Sequence, residues 1–186
     1  MTIGFAMCGS FCTYGQVFPI METIAKSHTV IPIFSQISYT TDSRFGTHEK
    51  HIDMAESICN RQVLHTIEQV EPIGPKKLLD ALIIAPCTGN TLAKLAHSIA
   101  DGPVTLAAKS HLRNGRPVII AVSTNDALAG AGENIGKLLG RKHYYFVPFG
   151  QDDAFNKPTS MVADFTKIPD TLAAALEEKQ IQPVIL

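Results

Sequence analysis

Ile3-Gly4-Phe5-Ala6-Met7-Cys8-Gly9-Ser10-Phe11-Cys12-Thr13-Tyr14 is an apolar run, then a loop of glycine and hydroxyl residues, then the start of a segment with helical spacing. An apolar run that feeds a helix through a tight polar loop is the opening of a βαβ unit. Four more runs repeat the pattern: Val30 to Phe34, Ala81 to Ala85, Val118 to Val122 and Tyr144 to Val147. None alternates with polar residues, so the strands are expected to be buried on both faces, as a parallel sheet covered by helices requires. The fold class this predicts is α/β: a single doubly wound, Rossmann-like three-layer domain over residues 1–186, with a mostly parallel sheet.

The helices between these runs carry their own signals. Thr13 and Gln16 are spaced as a capping box, and Pro19 is expected to kink the first helix or delay its regular part. Leu92, Leu95, Ala96 and Ile99 form one apolar stripe; Val104, Ala107, Ala108 and His111 form another, opened by Pro103 and closed near Gly115. Between the second and third strands, Ile52, Ala55, Ile58 and Cys59 predict one helix and Val63, Leu64, Ile67 and Val70 a second, with the break near Asn60. A last helix is expected over Pro169 to Glu178, turning Leu172, Ala175 and Leu176 inward.

Composition narrows the partners. The 186 residues are 45% hydrophobic with a net charge of −1 and no basic block, which excludes the electrostatic footprint of a nucleic-acid binder. No apolar stretch reaches membrane-spanning length and the start lacks a signal-peptide pattern, so a cytoplasmic protein is expected. Cys8, Cys12, Cys59 and Cys87 lack zinc-site spacing and are read as reduced thiols, and no metal is expected.

In an open parallel sheet, ligands gather where strand ends meet helix N-termini. Gly9, Ser10 and Thr13 offer close backbone approach and hydroxyl donors to an anion, but match neither the dinucleotide fingerprint nor the P-loop; a capped turn would carry the same residues. Ser35 follows the second strand. After the third, Pro86 is expected to stop the strand, with Thr88, Gly89 and Asn90 placed to orient a planar ring or a carboxylate. Ser123, Thr124, Asn125 and Asp126 follow the fourth strand, and a loop from Pro148 to Ser160 follows the fifth.

The segments GFAMCGS (4–10), IIAPCTGNTLAKLAHSIAD (83–101) and AVSTND (121–126) resemble the three signature regions of the FMN-binding flavoprotein family that includes cysteine-peptide decarboxylases and flavin prenyltransferases. The resemblance implies that Gly9 and Ser10 hold the FMN phosphate, that Thr88, Gly89 and Asn90 line the flavin, and that Asn125 faces substrate. Family members commonly form trimers or larger homo-oligomers. Further segments, RFGTHEKHI (44–52), VEPIGPK (70–76) and PFGQDDAFNKPTSMVAD (148–164), resemble one branch of that family. That likeness implies one component of an NAD(P)-linked oxidoreductase from the mother cell of a sporulating bacterium. The other component would bind the nicotinamide nucleotide, and the substrate would be a cyclic dicarboxylate oxidised to an aromatic one. FMN is the expected cofactor, with an adapted, cofactor-free site as the alternative. A stand-alone FMN decarboxylase or oxidoreductase and a non-catalytic binding subunit are the alternatives.

Family decarboxylases carry a histidine before the third strand in a segment like H-x-E-L. The stretch matched to it, Glu71-Pro72-Ile73-Gly74-Pro75, has none, while His65 and His97 fall in helical patterns expected at the surface. A flat dicarboxylate needs fixed donors at both ends. Ser123, Thr124 and Asn125, with a helix N-terminus expected behind them, are candidates for one carboxylate; Arg44 and Lys157 are candidate cations for the substrate. Asn125, Asp126 and Asp152, with Asp153, are candidates for the chemical step, and cap or turn roles are the alternative for the acids.

Overall fold

A computed structural model describes residues 1–186. Five parallel strands form the heart of the sheet: β1 (Thr2–Met7), β2 (Thr29–Phe34), β3 (Ala81–Cys87), β4 (Val118–Thr124) and β5 (Tyr144–Phe146). They lie in the order β2-β1-β3-β4, with β5 alongside β4. Every residue of β3 is buried, which explains why these runs show no alternation: both faces are covered. Leu82, Ile83 and Ile84 pair with Val118, Ile119 and Ile120, and 48 residues form one continuous apolar cluster around this centre.

The fold class is as expected: a mostly parallel, Rossmann-like sheet with helices packed on it. α1 (Tyr14–Ala25) packs with α3 (His48–Cys59) and with α8 (Ile168–Leu176), whereas α5 (Gly89–Ala96) packs with both α6 (Pro103–Leu112) and α7 (Gly132–Leu139). α3 ends on Asn60 in the left-handed conformation, at the predicted break.

Several local expectations are corrected. Thr13 makes no cap bond: it ends a 3-10 turn, Phe11–Thr13, and its hydroxyl donates back to Ser10 O at 2.8 Å. α1 begins at Tyr14 and is continuous through Pro19, so the proline does not delay the helix. α5 stops at Ala96, leaving Ile99 exposed, and Leu176 is exposed at the end of α8. Val63 and Leu64 are not helical. Leu64 bridges Ile33, exchanging hydrogen bonds with Pro32 and Phe34, because pairing with the open edge of β2 outweighs an apolar spacing that also suited a helix. Only α4 (Ile67–Val70) remains of the second helix, followed by a 3-10 turn. The loop after β2 contains α2 (Gln36–Thr40), with Ser35 as its N-cap. Pro86 does not stop β3, which continues to Cys87 through an irregular register.

The predicted loop after β5 contains a strand, β6 (Phe149–Gly150), which pairs antiparallel with β7 (Met161–Ala163) just beyond the loop. β7 in turn pairs antiparallel with Thr124 and Ser123 of β4. The outer edge of β4 is therefore covered by β5 along its first half and by β7 at its carboxyl end.

Candidate functional site

The carboxyl ends of β1, β2 and β3 enclose an open cleft of about 540 Å³, within the range of roughly 300–1,000 Å³ usual for small-molecule sites. Gly9, Ser35, Thr88 and Asn90 line it, from three different loops. Its far wall is the start of α6, where Gly102, Pro103 and Thr105 face the cleft.

Each lining group is held by local bonds. Ser35 N donates to Met7 O at 2.9 Å, and the Ser35 hydroxyl lies 2.8 Å from that of Ser38, which itself donates to Met7 O. Ser38 is fully buried and was not singled out from the sequence; the Ser-x-x-Ser spacing was its only signal. Thr88 caps α5, accepting from Thr91 N at 3.4 Å. Buried Thr91, also missed, donates to Cys8 Sγ at 3.2 Å. Burial pushes the Cys8 thiol up to about 11, against the opposing effect of that hydrogen bond, so it stays protonated and structural. At Gly9 a Cβ would sit 3.0 Å from Ile37 Cγ2, so the bare backbone itself forms the wall. Lys94 on the rim is paired with Asp101 at 2.9 Å.

This donor set fits the phosphate of FMN: hydroxyls from Ser35 and Thr88, exposed backbone at Gly9, and the unpaired N–H groups of the first turn of α5. Ser10 and Thr13 are placed differently from the expectation. The Ser10 hydroxyl meets that of buried Ser123 at 2.7 Å, and Thr13 is buried with its hydroxyl turned to Ser10 O. Neither lines the cleft.

The fourth-strand residues form a neighbouring cluster. A Cβ on Gly89 would lie 2.8 Å from both Thr124 Oγ1 and Asp126 Oδ1, two oxygens already bonded to each other, so the third and fourth loops touch at this glycine. Asn125 is exposed; its carbonyl accepts from Thr159 Oγ1 at 2.7 Å and its Oδ1 from Ser160 Oγ at 3.5 Å. The helix N-terminus expected behind this loop is absent, because Asp126 O accepts from Ala129 N and Ala131 N and turns the chain before α7 begins at Gly132.

Arg44 lies over the Phe45 ring, 4.9 Å from its centroid. It lines neither this cleft nor the Ser123 cluster. Lys157 is engaged with Asp152 at 3.2 Å. Partial burial alone would raise the Asp152 carboxyl, but hydrogen bonds from Ser160 and Lys157 outweigh it and hold the group below its ordinary value. Asp153 is a turn residue, accepting from Asn156 N at 3.0 Å. His65 lies outside any helix: it follows the Leu64 bridge, half-buried, and stacks on Tyr39 with ring centroids 3.6 Å apart. His97 caps the exposed end of α5.

A parallel sheet with a phosphate-suited cleft at its carboxyl edge is the arrangement of a flavoprotein, and the chain belongs to the Flavoprotein family, whose model matches residues 1–138. Its particular likeness is to the B subunit of dipicolinate synthase from Bacillus subtilis (strain 168), with 43% identity over 99% of this chain and 92% of that protein. A crystal structure of the dipicolinate synthase B subunit from Bacillus halodurans C superposes with a TM-score of 0.91 at 42% identity, covering 100% of this chain and 95% of that one. The FMN-dependent cysteine decarboxylase SpaF shares the fold, with a TM-score of 0.70 at 20% identity over 94% of this chain and 97% of that one. No helix of the chain is long and apolar enough to cross a membrane.

Proposed function

We propose that this chain is the flavin-site component of a two-component dipicolinate synthase, working with the A subunit of dipicolinate synthase, which binds NAD(P). The complex oxidises dihydrodipicolinate, or its hydrated precursor, to dipicolinate in the mother-cell cytoplasm of a sporulating bacterium. The observation that carries this reading is the join between cleft and fourth-strand cluster, made by the Ser10–Ser123 hydroxyl pair at 2.7 Å and the Gly89 contact with Thr124 and Asp126. Gly9, Ser35, Thr88 and Asn90 hold the phosphate and ring of FMN, with Ser10 and Gly89 shaping the loops behind them. Bound FMN supplies a two-electron acceptor at this end of the sheet.

Ser123, Thr124 and Asn125 hold one substrate carboxylate, and Lys157 the other. Arg44 joins only if the 44–45 segment swings toward the cleft. Aromatisation removes a hydride, accepted by NAD(P)+ on the A subunit, and a proton; the hydrated precursor also loses a water. Asp152, 3.2 Å from Lys157, is the base we assign, with Asp126 second and Asn125 orienting the ring. The enzyme assembles as a homo-oligomer of this chain bound to its partner.

The test is a mixing assay. Turnover is expected only when this chain and a nicotinamide-binding component are combined, and it falls with Asn125→Ala. Full turnover by either component alone refutes the two-component reading, and a colourless chain that cannot be reconstituted with FMN removes the flavin from it.

A further inference from the structure

We infer that the chain carries a second binding site, for a phosphate-bearing aromatic ligand of the nucleotide class, in a cleft between α5, α6 and the start of β5. The cleft is about 400 Å³, and Thr105 is shared between its lining and that of the first cleft. Its apolar surface comes from Leu95, Ile99, Ala100, Leu112 and Tyr144, enough to take one face of a planar ring. Around it stand Lys109, Arg113, Arg141 and Lys142, and no carboxylate lines it.

None of these four cations has an acidic partner among the ion pairs of the chain. Lys109 and Arg113 are four apart at the end of α6, where like charges repel. A helix C-terminus favours cations and accounts for those two. Arg141 and Lys142 reach the same cleft from the turn before β5; Arg141 also serves the C-terminus of α5, whereas no helix end accounts for Lys142. Arg141 spends two of its N–H groups on Leu95 O and Ala96 O, at 3.1 and 2.6 Å, which fixes the guanidinium and leaves its other donors for a ligand.

The backbone of that turn is also unusual. His143, and Ser98 on the facing loop, both line the cleft in the left-handed region, with φ of 67° and 59°. At Ser98 this is the usual left-handed ending of a helix, with Ile99 N bonded back to Lys94 O at 2.8 Å, so His143 alone is held in an uncommon conformation at the cleft. A flat protein surface would be covered by a partner chain; a concave pocket with an apolar floor and a cationic rim fits a ring joined to phosphates.

Calorimetric titration with ADP, in the full chain saturated with FMN so that the first cleft is filled, tests this directly. One ADP is expected per chain, with adenosine and inorganic pyrophosphate each binding more weakly. Arg113→Glu/Lys142→Glu is expected to lower ADP affinity by about ten-fold or more while leaving Tm and FMN binding unchanged. Ser35→Ala, in the first cleft, is expected to leave ADP affinity as it is. Absence of ADP binding overturns the inference, as does undiminished binding in the charge-reversed variant. Pyrophosphate binding as tight as ADP overturns the aromatic half of it. None of these outcomes bears on the mixing assay.

Discussion

Replacing Gly89 by alanine measures how tightly the third-strand loop is held against the fourth. The new methyl would lie 2.8 Å from Thr124 Oγ1 and 2.8 Å from Asp126 Oδ1. These oxygens are bonded to each other, and Thr124 is fixed by its pairing with Met161, so they cannot part without losing that bond. Overpacking of this kind costs about 1–3 kcal/mol. Alanine in place of glycine at a helical position returns up to about 1 kcal/mol of backbone entropy. The net loss is then about 0–3 kcal/mol, which at about 2–4 °C per kcal/mol for a chain of this size lowers Tm by up to about 12 °C. Because Thr88 and Asn90 flank the displaced residue, FMN affinity, read by flavin fluorescence, is expected to fall as well. The decisive assay repeats the substitution in a Thr124→Ala/Asp126→Ala background. With both oxygens gone, only the entropy gain remains, and Gly89→Ala becomes neutral or stabilising. The same cost in both backgrounds would refute the steric account.

Three other outcomes are expected. Ser10→Ala and Ser123→Ala each cost about 1 kcal/mol in urea unfolding, by leaving one hydroxyl without its partner, whereas the double substitution costs no more than either single one; additive losses contradict the pairing. His111 is fully buried, donates from Nε2 to Pro117 O at 3.1 Å and has no partner at Nδ1. Burial is the main reason its pKa is lowered from 6.5 to about 4. The unfolded chain therefore binds a proton that the folded chain refuses between those values. Stability is complete above pH 6.5 and declines as pH falls toward 4, by about 3 kcal/mol in all. His111→Gln should flatten that decline, and an unchanged slope counts against it. Finally, Cys12 is exposed while Cys8 and Cys87 are buried, so a thiol reagent at pH 7.5 should modify Cys12 first, and Cys12→Ser should abolish the fast phase.

The central strands were legible because burial on both faces leaves a continuous apolar run, as in Ala81 to Ala85. Short elements were not. Phe149–Gly150 and Met161–Ala163 are too brief to show a period, so the strand pair that covers the carboxyl end of β4 was read as loop and tail. Val63 and Leu64 satisfied helical spacing, and only the open edge of β2, a fact of the assembled sheet, decided otherwise. At the site, Gly9, Ser35, Thr88 and Asn90 stood out by their position just past the end of a strand, and they do share one cleft. Ser10 and Thr13 belonged to the same loop but turn to Ser123 and to the loop's own carbonyl, a choice set by side-chain geometry that residue type does not reveal. Arg44 was selected for its charge and its place in the loop after β2, and nothing local directs it to the cleft.

The antiparallel cover on β4 also bears on how the chain matures during synthesis. Strands β1 to β4 and the cleft at the ends of β1, β2 and β3 are all encoded before residue 125 and can assemble as the ribosome delivers them, at about 5–20 residues per second. Ser123 and Thr124 must wait for Met161 and Val162 before their backbone is paired. A nascent chain could thus acquire a phosphate cradle while the wall beside it is still ragged. A truncation ahead of Met161 would leave a strand end open to neighbouring chains, turning the last part of the site to form into the first point of misassembly.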